Sequence, residues 1–235
     1  MPAIHIADHI KLFRNLGDRR FNWQVSKEDD SDIRTVAICG RDKPGFYSKI
    51  AGVFFLNRIN IVASQAYPLG DTHILDIFKV MPPRDRIFER EKWIKAENDL
   101  NQALDDDHFL DTVVDKLPKR ITIASGRRPE PNQVRIDNDT SSFFTIIEVL
   151  TYDFEGLLFS ITDALYRSGL NVTVAMVGGK VDQIMDIFYV RNLENDQKIR
   201  DPEKLKHIKT AIIKRLPQIH AKEVENEKNR GRHQA

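Results

Sequence analysis

Asp42-Lys-Pro-Gly-Phe-Tyr-Ser-Lys-Ile50 and Asp153-Phe-Glu-Gly-Leu-Leu-Phe-Ser-Ile161 are one phrase written twice. Each leads, through an asparagine at the same distance from its aspartate (Asn60 and Asn171), to a second shared phrase, Asp76-Ile-Phe-Lys-Val80 and Asp186-Ile-Phe-Tyr-Val190. The step from Asp42 to Asp153 equals that from Asn60 to Asn171 and exceeds that from Asp76 to Asp186 by a single position. The copies are therefore almost equal in length. Self-similarity at a fixed offset marks a duplicated structural unit. A unit of about 100 residues is too long for one solenoid turn, so each copy should build its own core.

Both copies read in the same order. Arg34 to Gly40 has the pattern of a strand, and Lys43-Pro44-Gly45 breaks it. Phe46, Ile50, Val53 and Phe54 then form one apolar stripe at helical spacing. Asn60 to Tyr67 and His73 to Val80 read as strands joined at Gly70, and a helical stretch follows from Phe88 to Leu117, interrupted at Asp105-Asp106-Asp107. In the second copy Phe143 to Thr151 is a strand, Leu157, Ile161, Ala164 and Leu165 repeat the stripe, and two strands follow around Gly178-Gly179. Asp201-Pro202-Glu203 opens the last helix, with Pro202 at its first position. The unit is β-α-β-β-α. Asn132 to Asp137 is read as the strand that returns to complete β-α-β-β-α-β in the first copy, and Gln218 to Glu225 is the only segment left for that role in the second. The expected fold is α+β, two ferredoxin-like βαββαβ domains in tandem behind a short N-terminal helix. The divisions are 1–30 for helix and linker, 31–138 and 139–225 for the domains, and 226–235 for a polar, disordered tail.

Charge and composition narrow the function. The 36 basic and 35 acidic residues leave a net charge of +1, with no bulk attraction to nucleic acid or anionic lipid. No strand carries the paired aromatics with which RNA-recognition modules of this topology stack bases. The longest apolar run, near Ile50 to Leu56, falls far short of a membrane span, and Met1-Pro-Ala-Ile-His begins no secretory signal. The expected location is therefore cytoplasmic. Cys39, the only cysteine, sits in an apolar strand pattern and reads as a small buried hydrophobe. His5 and His9 have metal-ligand spacing on the first helix, but without further ligands they read as part of a solvated helix.

Asp-x-Pro-Gly at a strand-to-helix turn, Asn-Ile where the next strand begins, and Asp-x-Phe-x-Val in the third strand resemble the ACT domain. The tandem, with Val134-Arg-Ile-Asp-Asn-Asp-Thr-Ser-Ser-Phe-Phe-Thr-Ile-Ile-Glu-Val149 leading into the second copy, is similar to the C-terminal region of bifunctional PII uridylyltransferase/uridylyl-removing enzymes. That resemblance implies a regulatory module that senses a small amino acid, glutamine in nitrogen control. It would signal to an attached or separate uridylyltransferase or to the PII protein, with no cofactor. The Gly-Ser and Asp-x-Asp metal set of the transferase and the His…His-Asp…Asp set of the hydrolase are both missing from this chain, so no catalytic or metal-binding residues are expected.

The candidate ligand-binding residues are Asp42, Lys43, Pro44, Gly45, Phe46, Asn60 and Ile61 in the first copy, and Asp153, Glu155, Gly156, Leu157 and Asn171 in the second. Backbone N–H groups at a helix N-terminus suit a carboxylate, an aspartate beside them suits an ammonium, and asparagine offers donor and acceptor. Two uses stay open for Asp42 and Asp153: capping the helix that follows, or holding a ligand. Glu155 stands where the first copy has Pro44, and its charge is expected to weaken binding at the second turn. The ligand is expected between ACT units rather than inside one. A ligand-free module that dimerises or assembles through its sheet edges is the alternative.

Overall fold

The computed structural model describes residues 3–28, 31–82, 87–123, 130–178 and 183–221. Its centre is one eight-stranded sheet, antiparallel throughout, made of β1 (Phe21–Lys27), β2 (Arg34–Arg41), β3 (Ile61–Leu69), β4 (His73–Val80), β6 (Gln133–Asp137), β7 (Thr145–Thr151), β8 (Leu170–Val177) and β9 (Ile184–Asn192). The strands lie in the order β1-β2-β4-β3-β8-β9-β7-β6. Each half is thus a four-stranded ferredoxin-like sheet, and the tandem ACT-type α+β architecture stands. β5 (Arg120–Ile123) and β10 (Gln218–Ala221) pair with each other in a separate two-stranded parallel sheet.

Two sequence expectations are corrected here. Residues 133–137 form a strand, but it pairs with β7 of the second copy, Val134 opposite Val149, and not with the first. The place it was expected to fill, beside β2, is held by β1, with Trp23 opposite Ile38. This strand lies in the 1–30 segment, which was expected to hold only helix and linker. Phe21, Trp23 and Val25 alternate with polar residues there, the period-2 signal of a half-buried strand. Each copy therefore takes its outer strand from upstream, as ββαββα. The strands that follow the last helix of each copy, β5 and β10, leave the main sheet to meet one another. Residues 222–225, expected to extend the last strand, and the tail at 226–235 lie outside the described residues.

The copies join along β3 and β8, where Ser64 faces Val177, Gln65 faces Met176 and Ala66 faces Ala175. Gln65 and Met176 are separated by the same step as Asp42 and Asp153, so equivalent residues meet and a local two-fold axis passes through the pair. The symmetry extends to irregularities: the ladder slips between Ile61 and Ala63 in one copy and between Val172 and Val174 in the other. The bulged residues, Val62 and Thr173, are equivalent by the same step. A bulge turns its strand and re-aims side chains, here in the strand that begins beside each Asp-x-x-Gly turn.

The helices α2 (Phe46–Leu56), α3 (Glu89–Asp105), α4 (Asp111–Val114), α5 (Leu157–Arg167) and α6 (Pro202–Arg215) complete the copies. The apolar stripes of α2 and α5 join one core with the sheet, in which Phe54, Phe78, Phe159 and Phe188 are fully or almost fully buried. The interruption expected at Asp105–Asp107 separates α3 from α4. Asp201 caps α6 by accepting from the Glu203 N–H at 3.0 Å, with Pro202 behind it as the sequence pattern requires. On the opposite face α1 (Ala3–Arg14) lays Leu12, with Leu16 just beyond its end, on Ala37, Cys39 and Leu75. Cys39 is fully buried there.

Gly45 and Gly156 open α2 and α5 with φ of 76° and 92°. A Cβ on Gly45 would come within 2.8 Å of the Tyr166 ring, and one on Gly156 within 2.7 Å of Leu117 and 2.8 Å of Phe55. Phe55 and Tyr166 hold equivalent positions in the two copies, so each copy's helix presses an aromatic ring on the other copy's turn. Gly156→Ala should therefore lower the unfolding free energy by about 1–2 kcal/mol from the left-handed backbone alone, and further through the clash. A lower urea midpoint at unchanged m-value checks this.

Candidate functional site

Both Asp-x-x-Gly turns sit at the ends of the β3–β8 seam. Neither aspartate caps its helix: the cap positions are Gly45 and Gly156, and neither cap carries a side-chain hydrogen bond. Burial raises the Asp153 pKa, and a hydrogen bond that its carboxylate accepts from the Phe154 backbone N–H opposes this. Asp42 does not meet Asn60 of its own copy. Its carboxylate faces the Asn171 amide across the seam, whose hydrogen bond holds its pKa down while partial burial, the larger effect, pushes it up. Asn60 in turn shares a cavity with Asp153. The asparagines are exchanged between copies, a consequence of the two-fold axis that the spacing within one copy does not reveal.

The cavity at the second turn measures about 120 Å³. Asn60, Ile61 and Val62 from the first copy close it against Asp153, Gly156 and Leu157 from the second, with Gly178 and Asp186 at its inner end. Of the expected residues, Asn60, Ile61, Asp153, Gly156 and Leu157 line it. Glu155 is exposed and does not line it. Phe46 is buried in the first core against Phe21, with ring centres 6.5 Å apart. Lys43 and Pro44 are exposed on the turn.

Behind each turn lies a buried acid. Asp76 and Asp186 are both fully inaccessible, on the helix-facing side of β4 and β9. Neither Asp76 oxygen has a hydrogen-bond partner among the described residues, and burial, reinforced by Asp42, holds its carboxyl well above the usual range. The nearby sequence cations do not serve it: Lys79 pairs with Glu28 at 2.9 Å and Arg135 with Glu148 at 3.7 Å. Asp186 accepts one long hydrogen bond from the Gly178 N–H at 3.3 Å and leaves Oδ2 without a partner among the described residues. Burial pushes it up to about 7; the Gly178 bond opposes this and the Asp153 charge adds to it. The copies differ beneath the acids. Tyr47 and Ser64 share a buried hydroxyl hydrogen bond in the first, where the second has Leu158 and Ala175.

Among the described residues no group of three or more His, Cys, Asp or Glu side chains is placed to hold a metal, and no helix is long and apolar enough to cross a membrane.

No family model matches the chain. The chain is 27% identical over 236 residues to the bifunctional uridylyltransferase/uridylyl-removing enzyme of Rhodospirillum rubrum, a match covering 99% of this chain and 25% of that protein. The namesake enzymes of Gluconobacter oxydans and Bradyrhizobium diazoefficiens are each 31% identical, over 78% and 80% of this chain and 20% of their own lengths. The chain thus spans a quarter or less of the length of these relatives. The crystal structure of aspartate kinase from Synechocystis superposes with a TM-score of 0.35 at 14% identity, over 70% of this chain and 24% of that one, too loosely to argue from. With the duplicated turn, the strand order and these relatives together, the chain resembles a tandem ACT-domain region and is similar, over most of its length, to a part of the bifunctional uridylyltransferase/uridylyl-removing enzyme.

Proposed function

We propose that this chain is a regulatory module that binds a small amino acid at the seam between its two ACT units, glutamine being the first candidate, and signals in the cytoplasm to a uridylyltransferase region, attached or separate. The observation that carries this reading is the cavity between Asn60 of one copy and Asp153 of the other. A ligand there touches both copies, so it favours one arrangement of the pair by its differential affinity. The reading assigns no chemistry to these residues. A signal to the PII protein would pass through the uridylyltransferase.

Thermal melting of the chain with each amino acid in turn tests it, because a ligand of the native state raises stability by mass action, about 2.7 kcal/mol at a hundredfold excess over Kd. One neutral amino acid should raise the melting temperature and the others should not. A melting temperature indifferent to all of them would reject the reading. Asp153→Ala is expected to remove more of the response than Asp42→Ala, since Asp153 borders the cavity. The alternative, a ligand-free dimerising module, draws on the outer strands β1 and β6, each paired on one side only. It predicts a homodimer whose melting depends on protein concentration and on no amino acid.

A further inference from the structure

Asp186 was outside the expected set of binding residues, yet it is the most conspicuous polar group of the cavity. It is fully buried, it borders the cavity, and its Oδ2 has no partner among the described residues. Buried carboxyl oxygens in folded proteins are almost always hydrogen-bonded, so an orphan at a cavity wall calls for a donor from outside the chain. The lining says which donor. Among the described residues its ionisable lining groups are two acids, Asp153 and Asp186, with no Lys, Arg or His beside them. A ligand group that meets this pair brings positive charge, and a second carboxylate placed against it is repelled. The remaining walls, Phe55, Val62 and Leu158 among them, accept an uncharged side chain. A bare metal ion is a poor occupant, since no third acid, His or Cys among the described residues is placed with these two.

We propose that Asp186 is the specificity-determining group of this cavity: its Oδ2 accepts a hydrogen bond from the ammonium group of a small neutral amino acid, while the Asp153–Asp186 pair excludes dicarboxylates. The inference rests on the ligand-binding reading above and adds to it the group that is read. Asn60, which carries both a donor and an acceptor, lies across the cavity to take the carboxylate end of the same ligand.

Titration calorimetry on the whole chain at about pH 8.5, above the value of about 7 to which burial pushes Asp186 and so with its carboxylate ionised, tests it, with L-glutamine, L-asparagine, L-serine and L-alanine as neutral probes. L-glutamate and 4-carbamoylbutanoate, which is glutamine without its amine, are the comparison probes. The expected result is that a neutral probe binds, that the deaminated analogue and L-glutamate bind at least about tenfold more weakly, and that Asp186→Val and Asp186→Asn each weaken the neutral probe by at least about tenfold, as loss of a charge-assisted hydrogen bond does. Near-UV circular dichroism establishes that each variant is folded, and the analogue arm needs no variant. Unchanged affinity in the folded variants, or equal affinity for the deaminated analogue, would overturn this inference and leave the ligand-binding reading standing. Binding of none of the probes to the unaltered chain would overturn both.

Discussion

The unfolding free energy should fall as pH rises from about 4 to about 7, the reverse of the rise that paired surface carboxylates give. Asp186 titrates at about 7 in the folded chain and near 3.9 when unfolded. Between those values the native state holds a proton that the unfolded state has released, and stability declines with pH wherever the native state binds more protons. The contribution is fully present below about pH 4 and is lost as pH passes through 7. Roughly three units at about 1.36 kcal/mol each make this on the order of 4 kcal/mol. Asp76, held well above the usual carboxylate range by burial and by the Asp42 charge, acts in the same direction. Two sets of groups act elsewhere. His108, exposed beside Asp111, adds a solvent-screened effect of the same sign. The lowered acids Asp105, Asp111 and Asp137 lose their stabilisation only as pH falls through their own low pKa values. Urea unfolding at pH steps from about 4.5 to about 8.5 measures the slope, and Asp186→Asn should flatten its lower part. A stability that climbs across this window would show that Asp186 is ionised and paired in solution.

The duplication made most of this architecture legible. A constant offset, read from two aspartates and two asparagines, predicts two like domains, their helices and the turns that carry the site. What it does not contain is how one copy meets the other. The spacing groups Asn60 with the turn of its own copy. The pairing of Gln65 with Met176 hands it to the other turn. The outer strands differ from expectation for a related reason: β6 has the alternation of a strand, but alternation does not name a partner, and Phe21, Trp23 and Val25 carry the same signal within the segment expected to be linker. Asp76 and Asp186 were visible as acids set in apolar strands, an arrangement that needs a partner or an interface. Only the cavity shows that Asp186 faces a space where a partner fits.

Replacing Asp76 with an apolar residue should stabilise the chain. Its carboxyl is fully buried opposite Ile38, between Ile74 and Phe78 on the same face of β4, with both oxygens lacking partners among the described residues. Removing an unsatisfied buried polar group recovers its desolvation penalty, about 1–3 kcal/mol, and a β-branched residue suits the strand. Asp76→Val adds volume to a packed core, so Asp76→Ala is the second variant: overpacking hurts the first and not the second. The gain corresponds to about 2–4 °C in Tm per kcal/mol for a chain of this size, readable by scanning calorimetry at pH 7. Destabilisation by both variants would mean that the Asp76 oxygens are satisfied in solution. The stabilising outcome bears on function as well as on folding. An acid that weakens the fold sits at the same place in both copies, Asp76 in one and Asp186 in the other, each behind an Asp-x-x-Gly turn. Proteins keep such liabilities where activity uses them. If Asp76→Val melts higher and its response to amino acids is smaller than that of the unaltered chain, then the Asp42–Asn171 turn binds as well, and the acid behind it is held there for the ligand rather than for the fold.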